Sequence, residues 1–197
     1  MNARRFGRDN LLVELDDAEQ ALALYEEARR RRVVASDIVS AARTVLFEGV
    51  DDVAALESSL PDWDVRPSVS SGDLVEVPTT YDGEDLAWVA RQWDMTRDEV
   101  VATHTGVEQV VAFCGFAPGF PYCTGLPERL SVPRHDSPRT RVPAGSVGLA
   151  GPFTGIYPTA SPGGWRLVGR TDLRLWEVDR EEPATLVPGT RVRFVAT

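Results

Sequence analysis

The sequence predicts an α+β chain of two unlike parts: a small domain of strands and two helices over residues 1–70, then a β-barrel over 71–197. Residues 1–60 hold two glycines and no proline, whereas residues 115–170 hold ten glycines and nine prolines. Helices tolerate neither residue well, so the first part can be helical and the second must consist of strands and turns. Between them lies a small, polar stretch over 68–73, from Ser68 to Asp73, which marks the boundary.

Taken in order, residues 6–15 have the hydrophobic content of a strand. Asp16 follows as an N-cap with Glu19 three residues on, a capping-box variant. Ala18, Ala21, Leu22, Tyr25 and Ala28 then recur at helical spacing, and the helix closes on Arg29 to Arg32, where positive charge suits its negative end. That run reads as a solvated helix end in preference to an anion site. Short apolar stretches over 37–39 and 44–47 suit a hairpin. Asp51 or Asp52 caps a second helix over 53–60, which Pro61 stops, and 63–65 forms a last short strand. The order β-α-β-β-α-β is that of a ferredoxin-like domain.

The second part opens with a strand over 74–77. Two helices follow: one over 84–93 with Asp82 as its cap, and one from Thr96 to about residue 105, with Glu99 completing a capping box. Short strands over 110–113, 146–150, 166–170, 173–177 and 192–195 then alternate with Pro/Gly turns, the pattern of a closed or nearly closed barrel.

Composition narrows the chemistry. The 197 residues are 43% hydrophobic and 26% charged, with a net charge of −9 and a pI near 4.8. Duplex nucleic acid is therefore a poor partner, because its affinity rests on cations neutralising phosphates. All the cationic side chains are arginines, which excludes a Schiff-base or P-loop lysine. Cys114 and Cys123 match no zinc spacing, and His104 and His135 are too few for a histidine metal centre. No apolar run approaches the roughly 20 residues of a membrane helix, and no hydrophobic signal segment follows the first residues. A cytoplasmic protein without membrane or nucleic-acid partners is the expectation.

The chemistry-bearing motifs lie in one block. Residues 114–122 place two glycines and two prolines among three aromatics; this is a structured loop, either one that lets backbone approach a flat ligand or a barrel corner with core aromatics. In 133–139, Arg134 and Arg139 flank His135 and Asp136; they could grip a carboxylate or phosphate, or simply form an exposed polar loop. Ser146 does not sit in a nucleophile elbow, since Ala144 stands two residues before it. Gly163 and Gly164, next to Trp165, permit close backbone approach, with Tyr157 and Trp165 available as walls.

The succession GFAPGFPY, PRHDSPR, VPAGSVGLAG, TGIYPTASPGGW and VGRT resembles the family of allophanate hydrolase subunit 1, also known as the 5-oxoprolinase component PxpB, which includes the KipI kinase inhibitor. Gln109, Cys123 and His135 stand where the family commonly carries a tyrosine, an aliphatic residue and a second basic residue. The resemblance implies a ferredoxin-like N-terminal domain and a cyclophilin-like β-barrel. It implies a hydrolase subunit that acts on an amide or lactam with ATP and Mg2+, held jointly with an allophanate hydrolase subunit 2 (PxpC-type) partner and completed by a PxpA-type component. No metal site is expected on this chain itself. A KipI-like inhibitor of a sensor histidine kinase, and a carboxyltransferase unit of urea carboxylase, are the other roles found in the family. Carried onto this sequence, Phe116, Pro118, Gly119, Phe120 and Tyr122 form one wall of a substrate or partner site. Tyr157, Ser161, Gly163, Gly164 and Trp165 form the facing wall, and Arg134 and Arg139 are anion anchors. His104 stands where the family tends to carry a histidine, for proton transfer or to satisfy a backbone carbonyl.

Overall fold

The computed structural model describes residues 1–66 and 72–197. The polar boundary stretch lies, over 68–71, outside the described residues. Two compact units are present, Met1–Ser70 and Ser71–Thr197. No helix among the described residues is long and apolar enough to cross a membrane.

The first unit runs β1 (Asn2–Phe6), β2 (Asn10–Glu14), α1 (Ala18–Arg30), β3 (Asp37–Ser40), β4 (Thr44–Glu48), α2 (Val53–Ser59) and a 3-10 turn, Leu60–Asp62. Its antiparallel sheet has the order β1-β2-β4-β3. This corrects the expected strand order at both ends. The segment read as one strand over 6–15 is a hairpin, because Gly7 adopts φ +75° and turns the chain between β1 and β2. The strand expected over 63–65 is absent: Trp63 is buried, but its ring packs edge-on against Phe47 at 6.3 Å and its indole N–H donates to Ser59 Oγ at 3.1 Å. Its hydrophobicity serves the core and not a ladder, and β1 occupies the sheet edge beside β2. Asp17, not Asp16, caps α1 by accepting from the Gln20 amide at 2.8 Å, and Asp52 caps α2 through Ala55. In the arginine run, Arg30 and Arg31 clasp the buried Glu27, holding its carboxyl below the usual range, and Arg31 stacks on Trp63.

The second unit comprises β5 (Leu74–Thr79), α3 (Leu86–Trp93), α4 (Arg97–Thr105), β6 (Gln109–Cys114), β7 (Pro121–Thr124), β8 (Arg139–Val142), β9 (Ser146–Ala150), β10 (Phe153–Ile156), β11 (Ser161–Gly163), β12 (Arg166–Arg170) and β13 (Arg191–Ala196). Seven strands form one sheet in the order β12-β9-β10-β7-β6-β13-β5. Its two ends meet where Thr80 and Arg170 exchange backbone hydrogen bonds of 2.9 Å, giving a nearly closed barrel. β8 and β11 form a separate two-stranded ribbon.

The capping box of Thr96 and Glu99 is present at the start of α4. Asp82 does not cap α3; it pairs with Arg170 at 2.8 Å, and Asp85 occupies the N-cap position. The strand expected over 173–177 is a loop: the Leu173 amide bonds Thr171 Oγ1 and the Leu175 carbonyl accepts from Thr185, so only Trp176 makes a single bridge, to Ala184.

The barrel has two hydrophobic clusters. One, with Val77, Val89, Trp93, Val111, Leu149, Ile156 and Phe194, fills the space between strands and helices. The other gathers Phe120, Val142, Ala150, Tyr157, Trp165 and Leu167. Consecutive strand residues point to opposite faces. On β10, Thr154 accordingly faces His104 while Gly155 faces Phe120 and Trp165.

Candidate functional site

The loop between β6 and β7 owes its shape to two left-handed residues. Gly119 (φ +77°) lies so close to the Leu175 carbonyl that a Cβ there would stand 2.9 Å from its oxygen. Phe116, at φ +70°, adopts a conformation that costs a non-glycine residue about 1 kcal/mol, and its ring is 64% exposed. Strain of this kind holds an aromatic ring largely in solvent beside an exposed Pro118, with edge-on contact to Phe120 and Tyr157.

Behind that tip the rings interlock. Phe120 meets Tyr157 at 5.0 Å and Trp165 at 5.3 Å, both edge-on, and Tyr122 meets Trp165 at 5.3 Å. Phe116 lies edge-on to Phe120 at 5.5 Å. Glycine makes this possible at two points. A Cβ on Gly155 would stand 2.6 Å from the Trp165 ring, and one on Gly163 would stand 2.3 Å from Tyr157 Oη. The aromatic members of the two expected facing walls, Phe116, Phe120, Tyr122, Tyr157 and Trp165, are thus one continuous cluster. Ser161 Oγ is buried beside it with no hydrogen-bond partner among the described residues. Burial raises the phenol pKa of both Tyr122 and Tyr157, and the nearby Arg134 charge opposes it.

Beside the cluster lies a polar hub that was not foreseen from the sequence. The buried Asp85 carboxylate accepts from Arg139 Nη2 at 2.6 Å and from the Leu167 amide at 2.7 Å through Oδ2. Its Oδ1 lies 2.9 Å from His135 Nε2. Arg139 also pairs with Glu84 and donates to the Trp165 carbonyl at 3.0 Å. Arg166 lies face-on to Trp88, 3.7 Å from the ring centroid, donates to the Pro133 carbonyl at 3.2 Å and approaches His135 at 3.0 Å. Arg139, expected as an anion anchor, therefore has its donors committed within the protein. Arg134 differs. It is exposed, stacks over Trp165 at 5.7 Å, and pairs with no carboxylate among the described residues.

His104 lies apart from these groups, on the opposite face of β10. It is 1% exposed, with Nδ1 2.7 Å from Tyr81 Oη, Nε2 3.2 Å from Thr154 Oγ1, and Gln109 Nε2 at 3.4 Å. Burial pushes its pKa down to about 3, so it is a neutral hydrogen-bonding member of the interior. Both cysteines are free, and burial raises both thiols, which makes them poor nucleophiles.

The aromatic and glycine residues and Arg134, all prominent in the sequence, come together in the fold. Asp85, Arg166 and Trp88 join them without any such signal. Asp85 read as part of a helix start, and nothing local could reveal partners 50, 54 and 82 residues away.

A family model described as "Carboxyltransferase domain, subdomain C and D" matches residues 1–186. The chain is 52% identical over 158 residues to a protein of Escherichia coli O157:H7 named as the B component of 5-oxoprolinase, an alignment covering 77% of this chain and 72% of that one. Among solved structures it resembles TTHA0988 at a TM-score of 0.81 and 34% identity, covering 96% of this chain and 40% of that chain's length. It also resembles the urea amidolyase of K. lactis at a TM-score of 0.73, covering 99% of this chain and 15% of that one; at 20% identity that likeness concerns the fold alone.

Proposed function

Because the chain belongs to the family of carboxyltransferase subdomains C and D, we propose that it is the B component of an ATP-dependent 5-oxoproline hydrolase. The observation that carries this reading, beside the relative's name, is Arg134: an exposed guanidinium on an aromatic floor, with no internal carboxylate partner among the described residues. A small ring bearing a carboxylate suits such a surface. The guanidinium takes the carboxylate through paired hydrogen bonds, and the exposed Phe116 and half-buried Tyr122, backed by the buried Tyr157 and Trp165, offer apolar contact to the ring.

Opening a lactam requires the amide oxygen to take up charge. Among the described residues no group of three His, Cys, Asp or Glu side chains is placed to hold a metal ion, and Mg2+ on a nucleotide ordinarily takes only one or two carboxylates beside the phosphates. The proposal has ATP and Mg2+ held jointly with the partner, an allophanate hydrolase subunit 2 or PxpC-type chain, and gives this chain the binding and orientation of the organic substrate. A PxpA-type component would complete the hydrolysis. His104 retains a part only as a buried support of the barrel, not as a proton donor to substrate.

The domain reading belongs to the same proposal: a ferredoxin-like unit over 1–70, with β1 in the edge position usually held by a fourth strand, and a cyclophilin-like barrel over 71–197. The test is ATP hydrolysis by this chain alone and mixed with its subunit-2 partner, with and without 5-oxoproline. Turnover that needs both the partner and 5-oxoproline is the expected result. A stable complex whose ATP hydrolysis ignores 5-oxoproline would overturn the assignment in favour of a urea-type carboxyltransferase or a KipI-like kinase inhibitor.

A further inference from the structure

The segment 133–135 is clamped on both sides of Arg134. The Pro133 carbonyl accepts from Arg166 Nε at 3.2 Å, and the His135 amide donates to the Gly164 carbonyl at 2.7 Å. The His135 ring is tied through Nε2 to Asp85 at 2.9 Å. Arg166 Nη1 lies 3.0 Å from both nitrogens of that ring and so packs over it. The floor under Arg134 is pinned from the same point. Asp85 holds Arg139, and Arg139 holds the Trp165 carbonyl at 3.0 Å; Asp85 also takes the Leu167 amide directly, two residues beyond Trp165. Two chains of hydrogen bonds thus converge on one carboxylate, since both the backbone that carries Arg134 and the ring it stacks on trace back to Asp85.

The charges point the same way. Arg139 and Arg166 have side chains only 20% and 12% exposed, and both lie at Asp85. Asp85, with Glu84 as the second carboxylate at Arg139, compensates these inner cations, and neither pairs with the outer one, Arg134. We propose that Asp85 is a positioning residue for substrate recognition: it fixes Arg134 over Trp165 so that the guanidinium is presented in one orientation to an incoming carboxylate. This rests on the reading of Arg134 as the substrate-carboxylate site. Asp85 itself touches no substrate.

The test is a double-mutant cycle in the assembled complex, reading KM for 5-oxoproline and kcat separately. Misplacing a binding group by an ångström or so can cost up to ~100-fold. Asp85→Asn, which keeps the size and removes the charge, is expected to raise KM about tenfold, with kcat little changed. Arg134→Ala is expected to raise KM by a similar factor. If Asp85 acts through Arg134, the double variant is no worse than Arg134→Ala alone. Multiplying effects, or an unchanged KM in Asp85→Asn, would overturn the proposal. Should Asp85→Asn fail to fold, His135→Gln breaks the same link at a partly exposed side chain and is expected to raise KM several-fold; an unchanged KM there would count equally against it.

A second readout does not depend on the substrate. Stacked on Trp165, the Arg134 side-chain protons are expected to be shifted upfield by the ring in NMR spectra, and to lose that shift in folded Asp85→Asn. Retention of the shift would overturn the positioning role even if the complex proves to hydrolyse another substrate. Absence of any 5-oxoproline turnover in the wild type, with the shift lost on mutation, would instead overturn only the substrate assignment.

Discussion

The two histidines of the barrel unit live in opposite regimes. His104 is sealed in the interior, bonded to Tyr81 and close to Thr154 and Gln109, and burial alone sets its protonation. His135 lies at the rim, part exposed, between a carboxylate and a guanidinium. The interior is a polar network that the fold must satisfy; the rim is a charged frame in which one cation, Arg134, is left over. The contrast shows that a histidine in a family-typical position can be architecture, while the recognition proposed for Arg134 would rest on a charge imbalance that no single residue announces.

The largest effect on stability is expected in the aromatic cluster beside the rim. Phe120→Ala removes the ring that touches Tyr122, Tyr157 and Trp165, and is expected to cost about 3–5 kcal/mol in chemical denaturation. Next comes His104→Ala, which leaves a cavity and strips the Tyr81 and Thr154 hydroxyls of a partner. About 2–4 kcal/mol should be lost, with no selective effect on KM for 5-oxoproline in the assembled complex.

Acid sharpens the contrast. The folded pKa of His104 lies near 3, below its ordinary 6.5. The unfolded chain therefore binds a proton that the folded one refuses, and stability present above pH 6.5 is lost as pH falls below it. The slope is about 1 kcal/mol per pH unit for this one group. Denaturation of the wild type and His104→Gln at pH 7, 6 and 5 should show the wild type losing its advantage as the pH drops; parallel profiles would contradict the buried, neutral assignment. The smallest effect on stability is expected at the rim's outer cation. Arg134→Ala should change it by no more than about 0.5 kcal/mol, because the residue is exposed and pairs with no carboxylate among the described residues.

Local signals were legible in the sequence and long-range ones were not. The capping box of Thr96 and Glu99, the two-helix content of each part and the Pro/Gly-punctuated strands follow from spacing alone. The hairpin at Gly7 was hidden because β1 is mostly polar and exposed, so no apolar alternation announces it. Trp63 was misread because a buried aromatic looks the same in a strand and in a turn that follows a helix. At the site, Phe116, Phe120, Tyr122, Tyr157 and Trp165 stood out as aromatics among glycines and prolines. Asp85 did not, since its meaning comes only from partners that the barrel brings to it from β8, β12 and the loop before β8.

In the proposed function Arg134 receives the substrate carboxylate. The decisive measurement is kcat/KM of the assembled complex for 5-oxoproline and for 2-pyrrolidinone, the same ring without the carboxylate, in the wild type and in Arg134→Ala. A charge-assisted hydrogen bond contributes about 1.5–3 kcal/mol, roughly 10- to 100-fold. The wild type should therefore prefer 5-oxoproline by at least that margin, and Arg134→Ala should lose most of the preference while activity on 2-pyrrolidinone stays level. A variant that retains the full preference, or that loses activity on both rings equally, would contradict the assignment.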